Sequence, residues 1–99
     1  MRHPDRDVGP VLQSGAAADA VLAAIRQLNA RVTVLDRGAY LRISVPERCV
    51  VTRAAVEENL GRPFLIPSDL EKIMTSFQGE MRLSDDEATW AFKTPAGSP

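Results

Sequence analysis

One histidine, one cysteine and thirteen carboxylates lead the side chains of this 99-residue chain that could do acid, base, nucleophile or metal-binding chemistry. His3 sits in the charged, proline-containing start Met1-Arg2-His3-Pro4-Asp5-Arg6-Asp7. A general base must be held within hydrogen-bond reach of its proton, and a tail does not hold it. Cys49 lies in the apolar run Arg48-Cys49-Val50-Val51-Thr52, with no base on its own face, and reads as a small buried hydrophobe. A Cys/His zinc site takes three or four such ligands, and a lone cysteine forms no internal disulfide, which suits a reducing compartment. Seven of the carboxylates come in groups, Glu57-Glu58, Asp69 with Glu71, and Asp85-Asp86-Glu87. Hydrolysis by a carboxylate pair needs two of them converging across a pocket, whereas helix neighbours diverge and Asp85-Asp86 is a hairpin tip. No phosphate-cradling glycine loop occurs, and Gly61-Arg62-Pro63 falls at a helix C-terminus, which repels anions. The ten arginines and two lysines are scattered, and they nearly cancel the acids to a net charge of −1, which argues against a nucleic-acid partner. These residues assemble no active site, and they call for no cofactor or metal.

The elements that carry them read as one small α+β domain, in keeping with the length. Val8-Gly9-Pro10-Val11-Leu12 predicts a strand, with Pro10 suiting an edge or a strand start. Ser14 is placed to cap a helix reaching Leu28, whose apolar stripe is Ala18, Val21, Leu22, Ile25 and Leu28, with Asn29 as a left-handed stop. The period then falls to two in Arg31–Val34 and Tyr40–Val45, around a turn at Asp36-Arg37-Gly38. Pro46-Glu47 turns the chain into a strand at Arg48–Thr52. Thr52 caps a short helix from Arg53 to Leu60 that stops at Gly61. Ser68 and Glu71 match a capping box, and Leu70, Ile73, Met74 and Phe77 extend a helical stripe to a stop at Gly79. Phe77 is thereby expected in the core. Strands at Met81–Leu83 and Ala88–Phe92 flank the acidic turn. The predicted order is β-α-β-β-β-α-α-β-β, a mixed sheet with helices packed on it. Residues 8–92 form the domain, and 1–7 and 93–99 read as disordered tails. The longest weakly charged stretch, Val8 to Ile25, is interrupted by Asp19 and too rich in Ala and Gly to span a membrane. The start has no apolar run like that of a signal peptide, so a cytoplasmic location is expected.

Several ordered blocks resemble the small effector (coupling) proteins of soluble di-iron bacterial monooxygenases, above all those of the toluene and alkene monooxygenase branch. Val8-Gly9-Pro10-Val11 is similar to the opening strand of that branch. Val32-Thr33-Val34-Leu35-Asp36-Arg37-Gly38-Ala39-Tyr40 resembles its strand–turn–strand block. Leu60-Gly61-Arg62-Pro63-Phe64 is similar to its Leu-Gly-Arg-x-Phe signature, and Leu70-Glu71 with Ser76-Phe77-Gln78-Gly79 to its next helix and glycine stop. Pro46 departs from the family pattern, in which the connection from Ser44 to Arg48 is usually Gly- or Glu-rich.

The resemblance implies a non-catalytic, cofactor-free protein, monomeric when free. Its implied partner is the di-iron hydroxylase of an aromatic or alkene monooxygenase, with a ferredoxin and a reductase in the wider system. Its implied task is to couple electron transfer and O₂ activation to substrate hydroxylation or epoxidation. The resemblance points to Thr75, Ser76, Gln78 and Gly79 at the end of the second main helix as the hydroxylase-binding surface. Small hydroxyl residues there permit close approach and hydrogen bonding to an exposed helix. Val8, Gly9 and Pro10 form a second candidate contact, while Asp36 and Arg37 read as turn and ion-pair residues. From another class, a stand-alone interaction or ligand-sensing α+β module fits the same composition.

Overall fold

The computed structural model describes residues 6–93. The chain runs β1 (Asp7–Gln13), α1 (Ala16–Leu28), β2 (Thr33–Asp36), β3 (Tyr40–Pro46), β4 (Arg48–Thr52), α2 (Arg53–Leu60), α3 (Ser68–Ile73), β5 (Met74–Gln78), β6 (Glu80–Leu83) and β7 (Glu87–Ala91). The α+β class and the succession of elements agree with the sequence expectation, with one strand added at β5. In place of one mixed sheet, the strands form two antiparallel sheets, ordered β2-β3-β1-β5 and β4-β7-β6. Glu47 alone separates β3 from β4 and carries the chain from one sheet to the other, at a φ of 66°.

Alternation in the strands decides what lies between the sheets. β3 turns Leu41, Ile43 and Val45 inward, β4 turns Cys49 and Val51, and β7 turns Ala88 and Trp90. Helix α1 covers them with Ala18, Ala20, Val21, Ala24 and Ile25, whose small side chains let it pack closely on β4 and α2. Val56 of α2 and Leu70 of α3 complete this core with no exposed surface. Burying each large apolar side chain contributes roughly 1.5–3 kcal/mol. Trp90, the largest, keeps an indole N–H that meets no acceptor among the described residues.

Several local expectations change. Pro10 is not at an edge: β1 lies between β3 and β5, and Pro10 faces Phe77 across the β1–β5 ladder. Helix α1 begins after Gly15, without a side-chain cap from Ser14, and Leu28 at its end is largely exposed. Asn29 is extended, not left-handed, because its amide is engaged elsewhere. It donates to the Ile25 carbonyl (2.8 Å) and the Val50 carbonyl (2.7 Å) and accepts the Val50 N–H (3.0 Å). The Thr52 cap and the left-handed Gly61 stop are both present, with Thr52 Oγ1 accepting the Ala55 N–H.

The capping box at Ser68 does not form. Asp69 instead accepts the Leu65 N–H at 2.8 Å and returns its own N–H to the Leu65 carbonyl. Helix α3 ends at Ile73, and Met74–Gln78 straightens into β5 on the free edge of β1. Phe77 is consequently 42% exposed and not part of the core. The ends of the domain also shift. Asp7 belongs to β1, and Arg6 is fixed by its carbonyl accepting the Glu47 N–H and by an ion pair to Glu47 at 2.9 Å. The remainder of both expected tails, residues 1–5 and 94–99, lies outside the described residues.

Candidate functional site

Cys49 and Glu57 serve the fold. Cys49 is fully buried, and desolvation pushes its thiol up to about 12, leaving negligible thiolate at neutral pH. Glu57 accepts the Phe64 N–H at 2.8 Å and the Arg53 Nε at 3.1 Å, and thus ties α2 to the following loop. Those bonds, led by the Phe64 N–H, hold its carboxyl below the usual glutamate range. In the acidic turn the Asp86 and Glu87 N–H groups donate to Ser84 Oγ. Among the described residues no three His, Cys, Asp or Glu side chains converge as a metal site, and His3 lies outside them.

What the fold does leave available is one face of the four-stranded sheet. Leu12 and Ile43 point into the core, so their neighbours point away from it. Strand register sets Leu35 opposite Arg42, Arg42 opposite Val11, and Val11 opposite Ser76. One row of side chains therefore crosses β2, β3, β1 and β5. Beside it lies an open groove of about 250 Å³, lined by this row together with Arg37, Tyr40 and Thr75. Leu35 and Tyr40 are 44% and 41% exposed.

The expected contact residues divide across this face. Thr75, Ser76 and Gln78 are exposed, on strand β5 and not at a helix end, and Thr75 Oγ1 donates to the Val11 carbonyl at 3.3 Å. Gly79 is in reach of solvent, but its φ is +100°. A Cβ there would stand 2.7 Å from Val8 Cγ1 and 2.9 Å from the Ala91 carbonyl oxygen. Its role is to let the two sheets meet where β5 passes into β6. Val8, Gly9 and Pro10 are buried, and a Cβ on Gly9 would collide with the Ile43 carbonyl oxygen. They support the face from inside and offer it no side chain.

A family model described as MmoB/DmpM matches residues 6–91. The chain belongs to the MmoB/DmpM family. It is 43% identical over 89 residues to the effector subunit of the alkene monooxygenase system of Xanthobacter autotrophicus (strain ATCC BAA-1158 / Py2), an alignment covering 88% of this chain and 87% of the relative. Its fold resembles that of a chain in a phenol hydroxylase–regulatory protein complex, with TM-score 0.76, 22% identity, and 88% and 98% of the two chains covered. It also resembles the soluble methane monooxygenase regulatory protein B, with TM-score 0.67, 22% identity, and 94% and 69% covered.

Within this MmoB/DmpM fold, sequence reasoning missed Leu35, Tyr40, Arg37 and Arg42 as a surface. The alternation of Tyr40-Leu41-Arg42-Ile43 already set Tyr40 and Arg42 together, opposite the core-facing Leu41 and Ile43. What the sequence did not show is that no helix among the described residues covers them. Among the described residues Arg37 makes no ion pair with Asp36, whose carboxylate accepts the Gly38 N–H at 2.8 Å. No helix among the described residues is long and apolar enough to cross a membrane.

Proposed function

We propose that this chain is the effector subunit of a multicomponent aromatic or alkene monooxygenase, a non-catalytic and cofactor-free protein of the cytoplasm. The observation that carries this is the 43% identity to an alkene monooxygenase effector subunit, sustained over nearly the whole of both chains. The structure suits the task, because Cys49 and Glu57 are engaged internally while a sheet face stands uncovered among the described residues.

On this proposal the face carrying Thr75, Ser76 and Gln78 docks on the di-iron hydroxylase encoded beside this chain. Docking favours the hydroxylase conformation in which reduction by the ferredoxin and reductase, O₂ activation and substrate oxidation proceed together. The effector acts by differential affinity for two hydroxylase states, and a coupling of about 1–3 kcal/mol alters populations or rates roughly 5–150-fold. Thr75, Ser76 and Gln78 bring small polar groups to the contact, and the bare backbone edge of β5 permits close approach.

The test is reconstitution. The chain is added to that hydroxylase with its ferredoxin and reductase, on an aromatic or alkene substrate. Turnover and the ratio of product to peroxide are both expected to rise. No change in either returns the chain to the class of stand-alone interaction modules.

A further inference from the structure

Arg42 occupies an unusual position for a charge. Strand register places it between Leu35 and Val11, in the middle of an open sheet face, and no carboxylate pairs with it among the described residues. Arg37 stands at the same groove, also without an ion pair. The chain as a whole carries one net negative charge, yet among the described residues this groove is lined by two arginines and no acid. Its remaining walls are aliphatic, phenolic and hydroxyl groups, from Val11, Leu35, Tyr40, Thr75 and Ser76. Arg42 is exposed in the free protein, and its guanidinium presents a planar fork of donors, the geometry that binds a carboxylate through two parallel hydrogen bonds.

We propose that this groove is the acid-recognition point of the docking face: it takes one or two carboxylate side chains carried on an amphipathic helix of the hydroxylase. This rests on the effector reading above and adds to it the chemistry of the contact. The apolar walls receive the aliphatic side of the helix, Arg42 and Arg37 receive its acids, and the Thr75 and Ser76 hydroxyls border the contact. Charge complementarity selects this occupant. A second copy of the chain could bring exposed acids of its own, and self-association in sedimentation is the outcome that would reveal it.

The experiment measures the affinity of full-length protein for the purified di-iron hydroxylase at low and high salt. Wild type is expected to weaken as salt rises. Arg42→Gln combined with Arg37→Gln flattens that dependence, and Arg42→Glu lowers affinity tenfold or more at low salt. The controls Arg26→Gln and Arg62→Gln, on the helical side of the domain, leave affinity unchanged. Thermal melts confirm that each variant is folded, which exposed positions favour. Groove variants that bind as tightly as wild type with the same salt dependence overturn the proposal, and so does a charge reversal that alters only self-association in sedimentation. Failure of wild type itself to bind the hydroxylase strikes the effector reading, a result separable from either of these.

Discussion

At the outer edge of β4, the Asn29 amide does what a neighbouring strand would do, accepting the Val50 N–H and donating to the Val50 carbonyl. At the outer edge of β5, no side chain among the described residues does the same, and Met-Thr-Ser-Phe-Gln ends its sheet without a charge or a proline. Unprotected edges are a hazard that folds usually blunt, so on the proposed function this edge, open among the described residues beside an uncovered face, is a surface kept for the hydroxylase. The sheet around Trp90 has its β4 edge capped by Asn29 and its central strand β7 in the core. The sheet through β1 shares that core on one side and faces outward on the other. On the proposed function, stability and recognition are thus allotted to different parts of the same small molecule.

The strongest way to break this division is to part the two sheets where they touch. Gly79→Ala forces a methyl against Val8 and the Ala91 carbonyl at a φ of +100°. It is expected to cost on the order of 3 kcal/mol or more in urea melts, the sum of overpacking and backbone strain. Gly9→Ala, blocked by the Ile43 carbonyl, should be at least as damaging. A tryptophan at position 79 should accordingly fail to fold, not fold and merely lose activation. Next comes the closed edge. Asn29→Ala leaves both polar groups of Val50 without their partner and should cost roughly 2–3 kcal/mol, while Asn29→Asp, which cannot donate, should also destabilise.

A smaller effect separates the loop from both sheets. The Glu57 carboxyl is held below its usual range, so its bonds stabilise the fold above the unfolded-state value. That contribution disappears as pH falls through the lower folded-state value. Glu57→Gln should melt earlier than wild type at pH 7, and the gap should close under acid. The smallest stability effect sharpens the comparison from the other side. Ser76→Arg and Thr75→Val on the open sheet should leave the melt within about 0.5 kcal/mol of wild type. Ser76→Arg should nonetheless impair hydroxylase activation in steady-state assays. A large loss of stability from either would move β5 into the structural half.

Much of this was legible where the signal is local. The stripe of Ala18, Val21 and Ile25, the Thr52 cap and the Gly61 stop all concern residues within a few positions of one another, and all appear in the fold. The helix after Ser68 was misread from its own spacing. Leu70, Ile73, Met74 and Phe77 fit a helical stripe, but β1 offers backbone partners more than sixty residues away, and pairing with them outweighs the local period. The same non-local pairing hides Pro10 in a central strand, since nothing near Pro10 reveals that β5 will flank it. The proposed contact face was half legible. Thr75, Ser76 and Gln78 were found as exposed residues, whereas Arg42 and Leu35 become a surface only once three strands lie side by side in register.

Trp90 gives this arrangement an optical consequence. It is the chain's single tryptophan, wholly enclosed on the central strand of the inner sheet, with its indole N–H meeting no acceptor among the described residues. An indole in so dry a site emits at short wavelength, and exposure to water on unfolding shifts the emission to the red. A ligand settling on the far face of the other sheet leaves those surroundings in place. The protein therefore carries a fluorophore that reports on its own integrity and stays silent about its partner, so that each can be followed in the same cuvette.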